Sequence, residues 1–239
     1  MKQVFAAALA LTSAISFAQA ADVGSPAHDW SGPYVGILAG TTALISQGQG
    51  NSFDDTSSPA IAVWNSTNTA RTNWGASIGG QLGYNTVLSN NMVLGAVGDL
   101  SWTGNSSDEG TLNFGNYSYH RHDAMDAFGT VRAKLGMISG DTLFSVSGGL
   151  ALGDFHTLHQ TITCCPTLFE SNIDGLQAGW VVGAGVDHAV SENVVVNFEA
   201  LYANFPARDG TVVTPGASAS LVKLENSVVT LRAGISYKF

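Results

Sequence analysis

Few residues of this 239-residue chain have the types and spacing that enzyme or metal chemistry requires. Its two cysteines, Cys164 and Cys165, are adjacent, which fits neither a Cys-x-x-Cys pair nor a zinc site. We expect them to form a vicinal disulfide or to stay reduced. His122 and Asp123 could build a hydrolytic site with a nearby serine, but no spacing marks an activated nucleophile. The residue types therefore favour a protein that is not an enzyme and holds no metal.

Charged residues within apolar segments are the second group of candidates. When they are placed by alternation along the predicted strands, four acids face four bases: Asp99, Asp126, Asp187 and Glu199 against Arg132, Lys134, Arg232 and Lys238. The whole chain is strongly acidic, with 18 acids and 9 lysines and arginines, so this balance is local. A charge removed from bulk water needs a partner of opposite sign. We therefore predict a closed interior in which these residues, Lys238 excepted, form a network of paired charges.

The composition excludes several classes of protein. Only 11% of the residues are charged, against about 25% in ordinary soluble domains. The mean hydropathy is +0.16, yet no apolar run after residue 20 approaches the ~18 residues of a membrane-spanning helix. The formal net charge of -9 argues against a nucleic-acid partner, because such partners are held by clustered lysines and arginines. A typical soluble enzyme, a helical membrane protein and a disordered chain are all disfavoured.

The first 20 residues are typical of a secretory signal peptide. Lys2 is followed by an apolar stretch over residues 4–17 and then by Ala18, Gln19 and Ala20, a small-x-small cleavage pattern. We expect cleavage after Ala20 and an exported mature chain. Residues 21–30 are then expected to be a short periplasmic N-terminal segment.

The rest of the chain has the period of two that is characteristic of β-strands. Eight segments alternate apolar and polar residues: 31–43, 74–84, 91–103, 124–138, 142–153, 177–190, 193–203 and 226–239. The connections alternate between short ones (88–90, 139–141 and 191–192) and long polar ones (44–72, 104–123, 154–176 and 204–225). Short turns on one side and long loops on the other are typical of a transmembrane β-barrel. We predict an all-β, eight-stranded, antiparallel up-and-down barrel over residues 31–239.

The polar faces of the strands indicate which face points into the barrel and which face contacts lipid. They carry mainly Gly, Ser, Thr and Asn, too few charges for a surface in water, so we place them inside and the apolar faces against lipid. Aromatic residues near the strand ends fit an interfacial girdle: Trp74, Tyr84, Trp102, Tyr202, Tyr237 and Phe239. A soluble secreted sandwich or barrel is the alternative that this pattern leaves open.

Several motifs add a family resemblance to this pattern. They are Trp30-Ser31-Gly32-Pro33-Tyr34-Val35-Gly36, residues 132–136, 148–151, 179–185 and 199–202, and the closing Arg232-Ala233-Gly234-Ile235-Ser236-Tyr237-Lys238-Phe239. The mature chain resembles the small outer-membrane barrels of the OmpA-type superfamily, and most of all the major surface and haemin-binding proteins of alphaproteobacteria. Nothing follows the last strand, so no peptidoglycan-binding domain is expected.

The resemblance implies a location, partners and two sets of functional residues. We expect an outer-membrane protein in contact with lipid and lipopolysaccharide, delivered by periplasmic chaperones to the barrel-insertion machinery. Tyr237 and Phe239 are similar to the assembly signal that this machinery reads. Haemin is implied as a possible cofactor, with His120 or His122 as axial ligand and Arg121 on a propionate. Envelope structure with surface-loop presentation is the first functional hypothesis, haemin binding the second, and a barrel protease or lipid-modifying enzyme a remote third.

Overall fold

The computed structural model describes residues 28–50, 71–88, 91–114, 117–163, 169–212 and 220–239. Side chains are described at residues 28–47, 72–88, 91–105, 123–156, 175–208 and 225–239. The signal segment, most of the expected N-terminal segment, Cys164 and Cys165 lie outside these ranges. No helix in the described ranges has the length and apolar character that crossing a bilayer would require.

Eight antiparallel strands form one closed barrel, as the alternation predicted. Their bounds are β1 Gly32–Gly50, β2 Arg71–Val87, β3 Met92–Phe114, β4 Tyr117–Ser139, β5 Thr142–Thr163, β6 Phe169–Ala189, β7 Val194–Val212 and β8 Ser220–Lys238. Each strand pairs with its neighbours in sequence, and β1 closes the barrel on β8 in the register Tyr34↔Lys238 to Gly50↔Val222. The predicted eight-stranded antiparallel barrel is therefore confirmed.

The strands extend much farther than the predicted bounds, and most of the predicted long loops are wrong in extent. For example, β3 and β4 run on through residues 104–114 and 117–123, and the pair stays in register to Phe114↔Tyr117. A membrane crossing takes only about 9–11 residues of a tilted strand. Beyond the lipid both faces of a strand can be polar, so the ladder continues without the alternation on which the sequence interpretation relied.

Burial confirms which face of each strand points inward. The outward rows of β2, β3 and β5 expose an apolar band, for instance over Trp74–Tyr84, Leu94–Trp102 and Phe144–Leu152. The inward rows are buried and mostly polar or small. The first described residues, the C-terminus and the described short connections, such as the tight turn at Gly140 with φ of 58°, lie at one end of the barrel, here called the terminal end. The opposite end is called the far end.

Candidate functional site in the barrel interior

A four-residue charge network crosses the barrel interior. It consists of Asp99 on β3, Arg132 on β4, Glu199 on β7 and Arg232 on β8. Arg232 donates to Asp99 at 2.8 Å and to Glu199 at 2.8 Å, and Arg132 donates to Asp99 at 2.9 Å and also to Glu199. Each acid thus contacts both arginines. Thr130 completes the set, since its hydroxyl accepts from Arg132 Nε at 2.8 Å and donates to Asp99.

Two glycines make room for these arginines. Gly40 lies opposite Arg232 and Gly149 lies opposite Arg132 in the ladders. A Cβ atom at either glycine would stand 2.7 Å from the Cα of the opposing arginine, which no side chain could tolerate without a shift. The side chains of Arg132 and Asp99 are fully buried. Such charges are stable only because each has oppositely charged partners at hydrogen-bonding distance.

A second ion pair and a small polar chamber lie beside the network, toward the terminal end. Lys134 on β4 pairs with Asp187 on β6, and its ammonium lies 5.9 Å from the ring centroid of Tyr34. The chamber has a volume of about 40 Å³, enough for about three water molecules at roughly 10–15 Å³ each. The side-chain oxygens of Asn85 and Asn197 line it without a protein partner among the described residues. Ordered water is the natural partner for both oxygens.

The terminal end of the interior is filled by a residue that precedes the first strand. Trp30 is buried against Val93, Ile138, Leu143 and Val195, a cluster here called the terminal plug. His28 is also buried and packs edge-on against Trp30, with 4.7 Å between ring centroids. Burial, and after it the nearby Lys238 ammonium, lowers the pKa of His28 below its ordinary value of 6.5.

An apolar cap fills the interior toward the far end. Its ten residues are Leu44, Met125, Phe128, Ala151, Phe155, Val181, Leu201, Ala203, Phe205 and Val228. Phe155 and Phe205 meet edge to face, with 4.8 Å between their ring centroids. From one end to the other, the described interior is thus packed by the terminal plug, the water chamber, the charge network and the apolar cap. Such an interior stabilises the barrel wall and leaves little free space for a solute.

The predicted position of Asp126 is wrong. A register irregularity in β4, between Met125 and Ala127, turns Asp126 to the outside, where its side chain is 68% exposed. Its carboxylate lies 3.4 Å from His156 Nε2, and Asp154 lies 3.8 Å from the same nitrogen. The extra residue of a β-bulge reverses the alternation from that point on, which the sequence pattern did not reveal. Asp126 therefore has no place in the charge network.

The remaining predicted site residues have the following positions. Six of the seven predicted network residues, all but Asp126, lie in the interior and contact one another as two groups. His120 and His122 were expected in a loop, which is wrong: both belong to β4, opposite Gln160 and Leu158 of β5. Their side chains lie outside the described part. In the described residues, no group of three or more His, Cys, Asp or Glu side chains could hold a metal ion.

Sequence reasoning missed two features of the interior. It treated residues 21–30 as a periplasmic segment and did not place Trp30 inside the barrel mouth. It also could not choose partners, so the separation into a four-residue network and a Lys134–Asp187 pair emerged only from the structure. At the terminal rim, Lys238 lies 3.8 Å from the exposed Asp29, outside both groups.

Comparisons with known proteins give the following matches. The family model for the outer membrane protein beta-barrel domain matches residues 6–239. The 31 kDa outer-membrane immunogenic protein of Brucella melitensis biotype 1 is 31% identical over 254 residues, which cover 100% of both chains. The 22 kDa outer membrane protein of Rhizobium leguminosarum bv. viciae is 29% identical over 67% of this chain and 66% of its own. The outer membrane protein OprG from Pseudomonas aeruginosa superposes with a TM-score of 0.48 at 13% identity, over 87% of this chain and 96% of OprG.

Proposed function

The chain belongs to the outer membrane protein β-barrel family, and from that premise we propose that it is a non-enzymatic structural protein of the outer membrane. In this proposal the terminal end faces the periplasm and the far end faces outside. The barrel anchors long strands that present the chain at the cell surface. The packed interior is the observation that carries the proposal, because a barrel built for transport needs a continuous path through its lumen.

Planar-bilayer recording of the refolded barrel tests the closed interior. We expect no stable conductance steps from the native chain, since Arg132 and Arg232 cross the lumen and are held by two carboxylates. Steady steps of one size from the native chain would contradict the proposal.

Presentation at the surface is supported by a relative and by the length of the strands. The Brucella relative is named as an immunogenic outer-membrane protein. Here β3 and β4 each have 23 residues, about twice what a bilayer crossing needs, so their far-end halves would stand above the lipid. Antibodies raised against a peptide of residues 107–122 should therefore label intact cells. Labelling that appears only after permeabilisation would refute the proposed orientation.

Haemin binding remains a prediction from resemblance, and its predicted ligands now belong to a strand. A haemin titration of the refolded barrel, followed by the Soret band, tests it directly. Replacing His120 and His122 together by alanine should abolish the spectral change, whereas His188→Ala at the terminal rim serves as the control. A native chain that leaves the haemin spectrum unchanged would remove haemin from the list of cofactors.

The absence of catalysis is part of the same proposal. In the charge network and in the Lys134–Asp187 pair the carboxylates contact the basic groups, so none of these six residues is available as a nucleophile or a base. Protease and lipid-deacylase assays on the folded barrel should give no activity above the unfolded control.

The route of assembly stays a prediction. We expect export with cleavage after Ala20, which N-terminal sequencing of the mature chain can test. We also expect that periplasmic chaperones deliver the chain to the insertion machinery, which cross-linking can test.

A further inference from the structure

The residues directly before β1 cross the terminal end of the barrel. Trp30 precedes β1, whose neighbours in the wall are β2 and β8, yet its indole lies in one cluster with Val93 of β3 and Val195 of β7. Gly32 makes the turn into this crossing, because its φ of 121° is a backbone conformation that other residues rarely adopt. Residues 28–31, here called the strap, therefore cover the opening of the lumen.

The strap is held by the burial of two rings more than by hydrogen bonds. The hydroxyl of Ser31 accepts from the backbone N–H of Val87 at 3.1 Å, and the N–H of Ser31 donates to Asp29 within the strap. In the described part of the chain no other hydrogen bond joins the strap to the wall. The buried nitrogens Trp30 Nε1 and His28 Nε2 have no partner there either. The strap can therefore leave the mouth without breaking a strand ladder.

Protonation of His28 favours release of the strap. An imidazolium has two N–H donors, and inside the mouth Nε2 faces no acceptor among the described residues. Lys238 on β8 opposes a positive charge at this position, whereas Asp29 on the strap and Asp141 in the turn between β4 and β5 favour one. The strands β3, β4, β5 and β7 contribute only apolar side chains to the cluster around Trp30. Outside the mouth, water satisfies both N–H groups and the charge is no longer desolvated, so acid shifts the equilibrium toward release.

The strap separates the water chamber from the terminal rim. The indole of Trp30 is itself part of the chamber lining, beside Asn85, Asn197 and the pair Lys134–Asp187. When the indole leaves, the chamber joins the water outside the barrel, and the unpartnered oxygens of Asn85 and Asn197 become accessible from the rim. The charge network lies deeper and includes no residue of the strap, so release of the strap leaves the network closed.

We propose that the strap is an acid-released cover of the terminal mouth. It stays closed while His28 is neutral and opens when His28 is protonated. Small polar solutes then reach the chamber but pass no farther than the charge network. That the mouth opens to the periplasm rests on the orientation proposed above, whereas the release of the strap does not.

Thiol modification of the refolded barrel by a water-soluble reagent measures the opening of the strap. Val93→Cys places a thiol in the cluster that Trp30 covers, and Glu192→Cys places one in the exposed turn between β6 and β7. Cys164 and Cys165 are replaced by serine in both. The rate at Val93→Cys is divided by the rate at Glu192→Cys at each pH, because the reactivity of every thiol follows its thiolate fraction. This ratio should rise by roughly threefold or more from about pH 7.5 to about pH 5, the range in which histidine titrates.

Two further variants assign the opening to His28 and to the strap. His28→Phe keeps an aromatic ring against Trp30 but cannot be protonated, so the ratio should keep its neutral-pH value throughout. Trp30→Ala removes the indole that covers Val93, so the ratio should be high at every pH. Heat-modifiable migration verifies that each variant is folded at each pH.

Three results would overturn the proposed cover. They are a ratio that does not change with pH when His28 is present, an equal rise in the His28→Phe variant, and a Trp30→Ala ratio as low as that of the chain with Trp30 at neutral pH. None of them would affect the proposed closed interior, which the conductance measurement tests separately. Conversely, steady conductance steps would refute the closed interior whatever the thiol ratio shows.

Discussion

Replacing Arg232 by methionine should destabilise the folded barrel by about 3–5 kcal/mol, the usual cost of breaking a buried ion pair. Arg232 donates four hydrogen bonds, two to Asp99 at 2.8 and 2.9 Å and two to Glu199 at 2.8 and 3.0 Å. Methionine fills much of the same space without a charge. The native network balances two carboxylates with two guanidinium groups, whereas the variant leaves two buried carboxylates to Arg132 alone.

A second substitution separates charge from packing. Glu199→Gln in the Arg232→Met background restores a neutral interior, with Asp99 facing Arg132. We expect this double variant to regain at least about 1–2 kcal/mol relative to Arg232→Met, because one unpaired buried charge is removed. Lys238→Met is the matched control. Its partner Asp29 is 3.8 Å away and largely exposed, so the loss should stay below about 1 kcal/mol.

Urea titration of the barrel in lipid vesicles measures these differences, with tryptophan fluorescence and heat-modifiable migration as independent probes. With a slope of about 2 kcal/mol per molar urea, a loss of about 4 kcal/mol lowers the midpoint by about 2 M. An Arg232→Met midpoint equal to that of the native chain would refute the closed network. A double variant less stable than Arg232→Met would show that net charge is not the cause.

Three further predictions concern the rim, the bulge and the assembly signal. Deleting Phe239, which lies exposed at the terminal end beside Tyr237, should reduce insertion in cells more than refolding in detergent, as read from heat-modifiable migration; native insertion in cells would exclude the assembly-signal role. Asp126→Asn, at an exposed carboxylate, should change the free energy of unfolding by less than about 0.5 kcal/mol. Asp99→Asn, in the buried charge network, should lower it by more than about 2 kcal/mol. Equal losses for the two variants in urea titration would contradict the placement of these carboxylates. Burial lowers the pKa of His28 below 6.5, so below that pH the unfolded chain binds a proton that the native chain does not bind. The contribution of His28 to the free energy of unfolding should therefore be full above pH 6.5 and decrease as the pH falls below it. His28→Phe should flatten this part of the pH profile of the urea midpoint, and an unchanged profile would assign the effect to other groups.

The membrane-spanning part of the fold could be predicted because lipid imposes a strict pattern on it. Each strand must present apolar residues outward at every second position, so the alternation over residues 92–102 gave the correct faces of β3. The same alternation identified Arg132, Glu199 and Arg232 as interior residues. It could not pair them, because partners across a lumen depend on the stagger of strands around the whole barrel.

The features that escaped prediction lie where that lipid constraint is weak. Beyond the apolar band, polar residues such as those of residues 104–114 form strands without any alternation, so the sequence pattern predicts loops there. The irregularity beside Asp126 adds one residue to a strand, which no composition signal marks. The pairing of β7 with β6 ends at Asn204, two residues before Pro206, and this proline lies in a stretch that the sequence pattern predicts as a loop, where a proline is ordinary.

The distribution of the charge network over the strands bears on the order of folding. Asp99 and Arg132 come from the adjacent strands β3 and β4, and Glu199 and Arg232 lie directly opposite each other on β7 and β8. Each of these two hairpins therefore enters the membrane with both charges of one ion pair, and neither hairpin needs a counter-charge from the other. The contact from Asp99 to Arg232 joins residues 133 positions apart, and it forms only when the two halves meet. When the barrel closes, the two ion pairs join into one four-residue network. The barrel can therefore insert hairpin by hairpin, and no charge of this network is unpaired in lipid at any stage.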